Sequence, residues 1–394
     1  MRDFDLVLLG ATGFTGKLVA QYLDKHAMRW ALAGRNRDKL EEVKRSLTSD
    51  VPLVVADALD PAACEALAAR AKVVCTTVGP YTKYGSEVVA ACAAAGTHYC
   101  DLTGEVSWMR TMIDAHHETA RKTGARIVHA SGFDSIPSDL GTWATQQAFI
   151  EKFGAPAHSV TAYYGAISGG FSGGTAGSMF VIADAMENRE VRRVIGNPYG
   201  LDPDPRAPRP PAPDDKAPRW DATVGMFTVP FVMGATNSRV VRRAHALAGF
   251  PWGEDFVYRE VMTTPKSAKG LAMAAGITAG LGTLAVAMRS PTLRKMLEAR
   301  APKSGEGPSE ATRRRGHWTV HFVAQRDSER LDYVVADPHG DPGYASTSKM
   351  LGESAMCLAF DPLASQGGVT TPSVAMGGAL QARLVAAGLE FHAM

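Results

Sequence analysis

Apolar and polar positions split the chain into two parts with different rhythms. In the first, short apolar runs alternate with amphipathic stretches. Residues 6–9, 30–34, 51–57, 72–78 and 125–130 read as strands, and 17–25, 61–70, 86–95 and 107–122 as helices. Unbroken apolar runs, rather than strict alternation, suit parallel strands buried on both faces. Five or six such βα units within about 135 residues describe one complete doubly wound domain of Rossmann type.

From about residue 150 the βα rhythm stops. Residues 159–167 read as a strand, then small residues at 168–175 precede a helix expected at 176–190. Those small residues allow either a close backbone approach to a ligand or a flexible loop. Residues 202–219, rich in Pro, Asp and Arg, predict an exposed loop with no regular element. Val240-Val241-Arg242-Arg243 reads as a solvated face before it reads as an anion site. Alternating Trp318, Val320 and Phe322 give one apolar face of an antiparallel sheet, with a second strand at 331–336. A helix at 346–358 and an apolar segment at 375–389 complete the chain. The expected division is a Rossmann domain at 1–137 and an α+β domain at 138–394 for substrate and dimerisation. Its sheet should face the cofactor crevice, and its C-terminal helix should return to the first domain.

Residues 270–288 form nineteen positions without a charge, bounded by Lys269 and Arg289. The length approaches that of a membrane span, but Ala, Gly and Thr dominate and insertion would be weakly driven. Met273, Ile277, Leu281, Leu284 and Met288 fall on one helical stripe, and Gly276 and Gly280 permit close helix packing. Basic residues follow, including Arg289, Arg294, Lys295, Arg300 and Lys303, then Arg313-Arg314-Arg315. Three readings stay open: a core or dimer-interface helix, shallow contact of 270–303 with an anionic membrane, and a true span.

The candidate chemistry starts at the first strand. Gly10, Gly13 and Gly16 lie three apart, after a strand and before a helix. Such a turn lets a diphosphate approach the N–H groups that open the helix, where the dipole favours negative charge. Gly10, Thr12, Gly13, Phe14, Thr15 and Gly16 are therefore expected to bind a dinucleotide. At the end of the second strand stand Arg35 and, one turn on, Lys39. A basic residue here accommodates a ribose 2′-phosphate, where an acidic one would repel it, so NADP(H) is expected over NAD(H). Asp57 sits where adenine is contacted in such folds. Thr77, Gly79 and Pro80 close the fourth strand on the ligand edge, placing Tyr81 beside the reactive end. Tyr81 leads the candidates for proton donor or oxyanion partner, with Tyr84 and Asp134 behind it.

Composition adds exclusions. Hydrophobic content of 45% and charged content of 21% are those of a globular protein, and a net charge of +2 gives no general pull towards nucleic acid. The five cysteines form no CxxC or Cys/His cluster, so no metal is expected and a reducing, cytoplasmic setting is. An apolar strand beginning almost at the N-terminus leaves no secretory signal to expect.

Taken together, Gly10–Gly16, Leu32-Ala33-Gly34-Arg35, Thr77–Tyr81, Asp101-Leu102-Thr103-Gly104-Glu105 and Gly132–Asp139 resemble the saccharopine dehydrogenase-like reductases. Within that group the chain is most similar to the mycobacterial trans-acting enoyl reductases of phthiocerol and phenolglycolipid synthesis. The likeness extends to Gly305-Glu306-Gly307-Pro308 and Thr371-Pro372-Ser373. It implies NADP(H) and reduction of an acyl thioester carried on a carrier protein or polyketide synthase, with hydride going to the β-carbon and a proton to the α-carbon. It fixes no catalytic residue. Two alternatives stay open: an amino-acid or imine substrate, as in saccharopine chemistry, and a non-catalytic NADP(H)-binding, membrane-associated protein.

Overall fold

A computed structural model describes residues 2–165, 173–300 and 306–394. Positions 168–172 of the small-residue segment, and Lys303 and Gly305, lie outside the described residues.

The first part builds β1 (Phe4–Leu9), α1 (Phe14–Leu23), β2 (Trp30–Gly34), α2 (Arg37–Lys44), β3 (Leu53–Val55), α3 (Pro61–Arg70), β4 (Ala71–Thr76), α4 (Tyr81–Tyr84), α5 (Ser86–Ala95), β5 (His98–Cys100), α6 (Val106–Thr123), β6 (Arg126–Val128) and α7 (Ile136–Phe153). The second continues with β7 (Ser159–Tyr164), α8 (Gly173–Ala185), α9 (Arg189–Gly196), β8 (Arg219–Asp221), β9 (Met226–Pro230), α10 (Gly234–Leu247) and β10 (Val257–Thr264). Then come α11 (Ala268–Arg289), α12 (Pro291–Arg300), α13 (Glu310–Arg314), β11 (Trp318–Arg326), β12 (Glu329–Asp337), α14 (Thr347–Phe360), β13 (Gly368–Thr370), α15 (Pro372–Ala386) and β14 (Glu390–Ala393).

The first sheet runs β13-β6-β5-β4-β1-β2-β3, all parallel. This is the α/β arrangement the apolar runs predict, and β1 shows why. Leu6 and Leu8 enter the core on one face, Val7 and Leu9 on the other, all within 1% of complete burial. The second sheet, β14-β12-β11-β7-β10-β9-β8, is antiparallel except for the β7–β10 pair. Trp318, Val320 and Phe322 are buried on its covered face. Gly141 of α7 lies so close there that a Cβ would come 2.6 Å from the Phe322 ring.

The two sheets share one apolar cluster running from Leu6 and Leu8 through Leu140 and Phe149 to Val320 and Phe322. The expected division at 137/138 falls in the first turn of α7. Late elements also come back to the first sheet: α14 packs against α1 and β4, and β13 extends the sheet beside β6.

Three local expectations change. The loop at 202–219 is strapped down: Arg239 pairs with Asp214 at 3.0 Å and Arg259 with Asp215 at 2.8 Å, and Asp202 is buried. Arg242 and Arg243 face no solvent, because α10 packs between that loop and the first domain. Arg242 donates to Pro198 O and Tyr258 O, Arg243 to Leu201 O and Val369 O. Residues 270–288 do form a helix, α11, but not a core helix, since only Gly270 and Ala274 of it are buried.

Candidate active site

The candidate residues follow the carboxyl ends of β1, β2, β3, β4 and β6, the edge at which ligands bind in doubly wound folds. At the end of β1, Gly10 has φ +89°, and a Cβ there would lie 2.6 Å from the Val78 side chain. A Cβ at Gly16 would lie 2.2 Å from Gly10 O, so α1 can start this close to the turn only with glycine. Gly13 is different: a Cβ would meet nothing nearer than Gly10 O at 3.4 Å. Its neighbourhood is open, and α1 has no side-chain cap over its first N–H groups. Free helix-start donors beside an open glycine fit a diphosphate. Thr12 and Thr15 are half-buried around them, and Thr77 Oγ1 ties β4 to the turn by donating to Gly10 O at 3.1 Å.

Phe14 also meets the second domain. A Cβ at Gly307 would lie 2.4 Å from its ring, Arg313 stacks 5.4 Å from the ring centre, and Tyr344 meets it edge-on at 5.1 Å. Residues 307–313 thus cover the start of α1, which accounts for the part of the 305–308 motif that is described. Arg313 lies over the Phe14 ring of the glycine turn and donates to Pro308 O.

At the end of β2, Arg35 and Lys39 are both exposed, and Asn36 caps α2 by accepting from Lys39 N at 2.9 Å. Two cations beside a capped helix start fit a 2′-phosphate. Asp57 is half-buried and accepts from Leu59 N at 3.0 Å, which shapes the turn after β3 and leaves its other oxygen for a ligand.

The end of β4 carries Gly79, exposed, and Pro80, half-buried. Their position is set by Glu105, a side chain not singled out in the sequence beyond its motif. Its buried carboxylate accepts from Tyr81 N at 2.9 Å, Thr82 N at 2.8 Å, Thr82 Oγ1 at 2.5 Å and Ser178 Oγ at 3.1 Å. Ser178 brings α8 against the same edge, 3.9 Å from where a Cβ on Gly79 would be.

Tyr81 itself points inward. Its hydroxyl donates to Thr76 O at 3.1 Å and accepts from Leu102 N at 3.2 Å, its ring packs 5.5 Å from Trp108, and burial pushes its pKa up. A hydroxyl held between two backbone groups braces β4 against β5. Tyr81→Phe should therefore cost about 1–2 kcal/mol of stability by orphaning those groups. Turnover should stay within a few-fold of wild type; a hundredfold loss of kcat at unchanged NADPH affinity would return the hydroxyl to the chemistry. Tyr84 is half-buried with Lys83 over its ring at 5.1 Å.

Asp134 opens α7 at the end of β6, two strands from β4. Its Oδ1 is buried with no hydrogen-bond partner, and burial lifts its pKa to about 7. Behind it lies a polar network that the sequence pattern did not reveal. Ser135 donates to Asn237 at 2.7 Å, Asn237 to Glu260 at 2.7 Å, and Tyr258 to Glu260 at 2.6 Å. Ser138 and Tyr164 share a bond of 2.7 Å. Burial raises Glu260 to about 7 as well, against the lowering effect of its Tyr258 and Asn237 bonds. A carboxyl raised to about 7 is partly protonated at neutral pH and can both give and regain a proton. The alternation of β10 could have placed Glu260 on a buried face beside Tyr258; its other partner, Asn237, comes from α10.

The quoted motifs are also joined to one another. Asp139 accepts from Ser373 N and Oγ at 2.8 and 2.6 Å, linking 132–139 to 371–373. Asp101 holds His129 at 2.7 Å and Tyr99 at 2.9 Å, fixing β5 to β6. Among the described residues no cluster of His, Cys, Asp or Glu could hold a metal.

Residues 6–128 match the saccharopine dehydrogenase NADP binding domain. The whole chain is 41% identical to a Mycobacterium tuberculosis protein named provisionally as a trans-acting enoyl reductase, over 99% of this chain and 97% of that one. A Mycobacterium leprae trans-acting enoyl reductase is 39% identical over 98% of this chain and 97% of its own. Among solved structures, yeast saccharopine dehydrogenase (L-Glu forming) superposes with a TM-score of 0.52 at 13% identity, covering 99% of each chain; that likeness concerns the fold.

Proposed function

The chain belongs to the trans-acting enoyl reductase family, and from that premise we propose that it reduces the carbon–carbon double bond of a lipid-like acyl thioester. It is an NADP(H)-dependent oxidoreductase with a saccharopine dehydrogenase-type NADP-binding domain. The observation that carries the enoyl reading is the full-length identity with relatives of that name.

The turn from Gly10 to Gly16 would hold the diphosphate, Arg35 and Lys39 the 2′-phosphate, Asp57 the adenine side, and Thr77, Gly79 and Pro80 the reactive end. NADPH, when bound, supplies the hydride. The protein's own work is to hold the double bond against that edge and to protonate the α-carbon. Glu105 fixes the Gly79–Pro80 edge by its four bonds. Asp134, raised by burial to about 7 and unpartnered at Oδ1, is the proton donor in this reading, with Glu260 as a second carboxyl raised to about 7 behind it. Leu102, Met233 and Phe180, each partly buried, are the apolar side chains we assign to an acyl chain.

The test is turnover of purified protein with NADPH and a 2-enoyl thioester carried on pantetheine, in a short and a long form. Loss of NADPH absorbance together with the saturated product by mass is the expected result, faster with the long chain. No oxidation of NADPH with either thioester, alongside turnover of an imine formed from a 2-oxo acid and an amine, would replace this reading with the amino-acid one.

A further inference from the structure

Among the described residues α11 is the one helix long and apolar enough to cross a membrane, and of its residues only Gly270 and Ala274 are buried. Leu271, Met273 and Val286 are 49%, 45% and 64% exposed, and Leu293 and Met296 of α12 extend the patch. Around Gly276, Gly280 and Gly282 nothing lies within 4 Å of a would-be Cβ. A helix apolar on every side normally has every side covered, and a patch of this kind marks an interaction surface.

Charge indicates what covers it. Residues 261–297 contain no Asp or Glu, but include Lys266, Lys269, Arg289 and Lys295, beside Arg294, which pairs with Asp184 and Glu298. The cations gather at the two ends of α11. At its start, Lys266 lies 5.4 Å over the ring of Trp220, which is itself 43% exposed. An apolar stretch ended by cations and an aromatic ring matches the interface of an anionic bilayer. A second copy of this chain would bring like charges together instead. Ile277, Leu281, Leu284 and Met288 are half-buried, so one side of α11 stays with the protein. That favours shallow seating over a span.

The patch connects to the crevice. Arg294 of α12 bonds Asp184 near the end of α8 and lies 5.9 Å from the Phe180 ring. Ser178, six residues before Asp184 and about 9 Å away along the helix, holds Glu105 beside Gly79. The geometry points to one role: the exposed faces of α11 and α12 seat the protein on an anionic lipid surface, and a lipid-soluble substrate enters along α8 to the Gly79–Pro80 edge. The seating stands without the enoyl reading; only the nature of what enters rests on it.

The test is sedimentation of the full chain with vesicles of phosphatidylglycerol and phosphatidylcholine, or of phosphatidylcholine alone. Binding should favour the anionic vesicles at least tenfold, weaken with salt, and be released by alkaline carbonate. Val286→Asp together with Leu293→Asp should lower it tenfold or more, while NADPH binding, followed by fluorescence, stays unchanged and reports an intact fold. Equal binding to both vesicles, or none, overturns the proposal. So does a carbonate-resistant pellet, which means a span, or a Val286→Cys protein that cross-links as a dimer. Turnover of the short thioester without vesicles reads the enoyl proposal separately.

Discussion

Replacing Arg35 with aspartate should weaken NADPH binding about a hundredfold and leave NADH within a few-fold. The side chain stands exposed at the end of β2, beside Lys39 and the capped start of α2. A bond to a charged group contributes about 1.5–3 kcal/mol, and a carboxylate placed against a 2′-phosphate adds repulsion. NADH carries no phosphate there, so it loses neither. Kd for both nucleotides, measured by fluorescence titration, checks the result. Equal losses would place the 2′-phosphate elsewhere. The fold should not suffer, because Arg35 makes no packing contact that the core depends on.

Asp134→Asn should lower kcat by about 10²–10⁴, the usual contribution of a positioned general acid, with NADPH affinity nearly unchanged. The amide matches the carboxyl in shape and cannot give up a proton. Burial holds Asp134 to about 7, so in wild type the donor form prevails below that pH. kcat should then fall as pH rises through about 7, and this limb should vanish in the variant. Stability follows the same sign. A carboxyl whose folded pKa is raised favours the fold fully below its unfolded value of about 4 and loses that contribution as pH rises towards 7. Glu260, raised by burial to about 7, adds to the trend with the same sign. A variant with full turnover and an unchanged profile would remove Asp134 from the chemistry.

Legibility differs sharply between the two halves of the site. The proposed cofactor side consists of strand ends and the turns that follow them, so Gly10, Gly16 and Arg35 are legible as candidates in local spacing. Gly16 shows how direct this is: the 2.2 Å approach to Gly10 O arises within a seven-residue turn. Tyr81 shows the limit. Its place after Gly79-Pro80 is local, but the direction of its ring is set by Trp108 and Leu102 from the next βα unit. The Glu105 carboxylate that fixes this turn comes from the same distance, and nothing in its own neighbours announces it.

By itself the sequence determined the parallel first domain, the dinucleotide turn and the preference for NADP(H). Those depend on backbone conformation and on charge at strand ends, both encoded within a few residues. The tertiary structure decided which polar groups are buried. Arg242 and Arg243 read as a solvated pair and became backbone staples, whereas α11 read as core or membrane and stands exposed. Ser135, Asn237, Tyr258 and Glu260 become one network beside the buried Asp134 only when α10 and β10 fold against the start of α7, more than a hundred positions away in sequence. Burial, and the pKa shifts that follow from it, depend on what packs from elsewhere in the chain, and no local pattern carries that information.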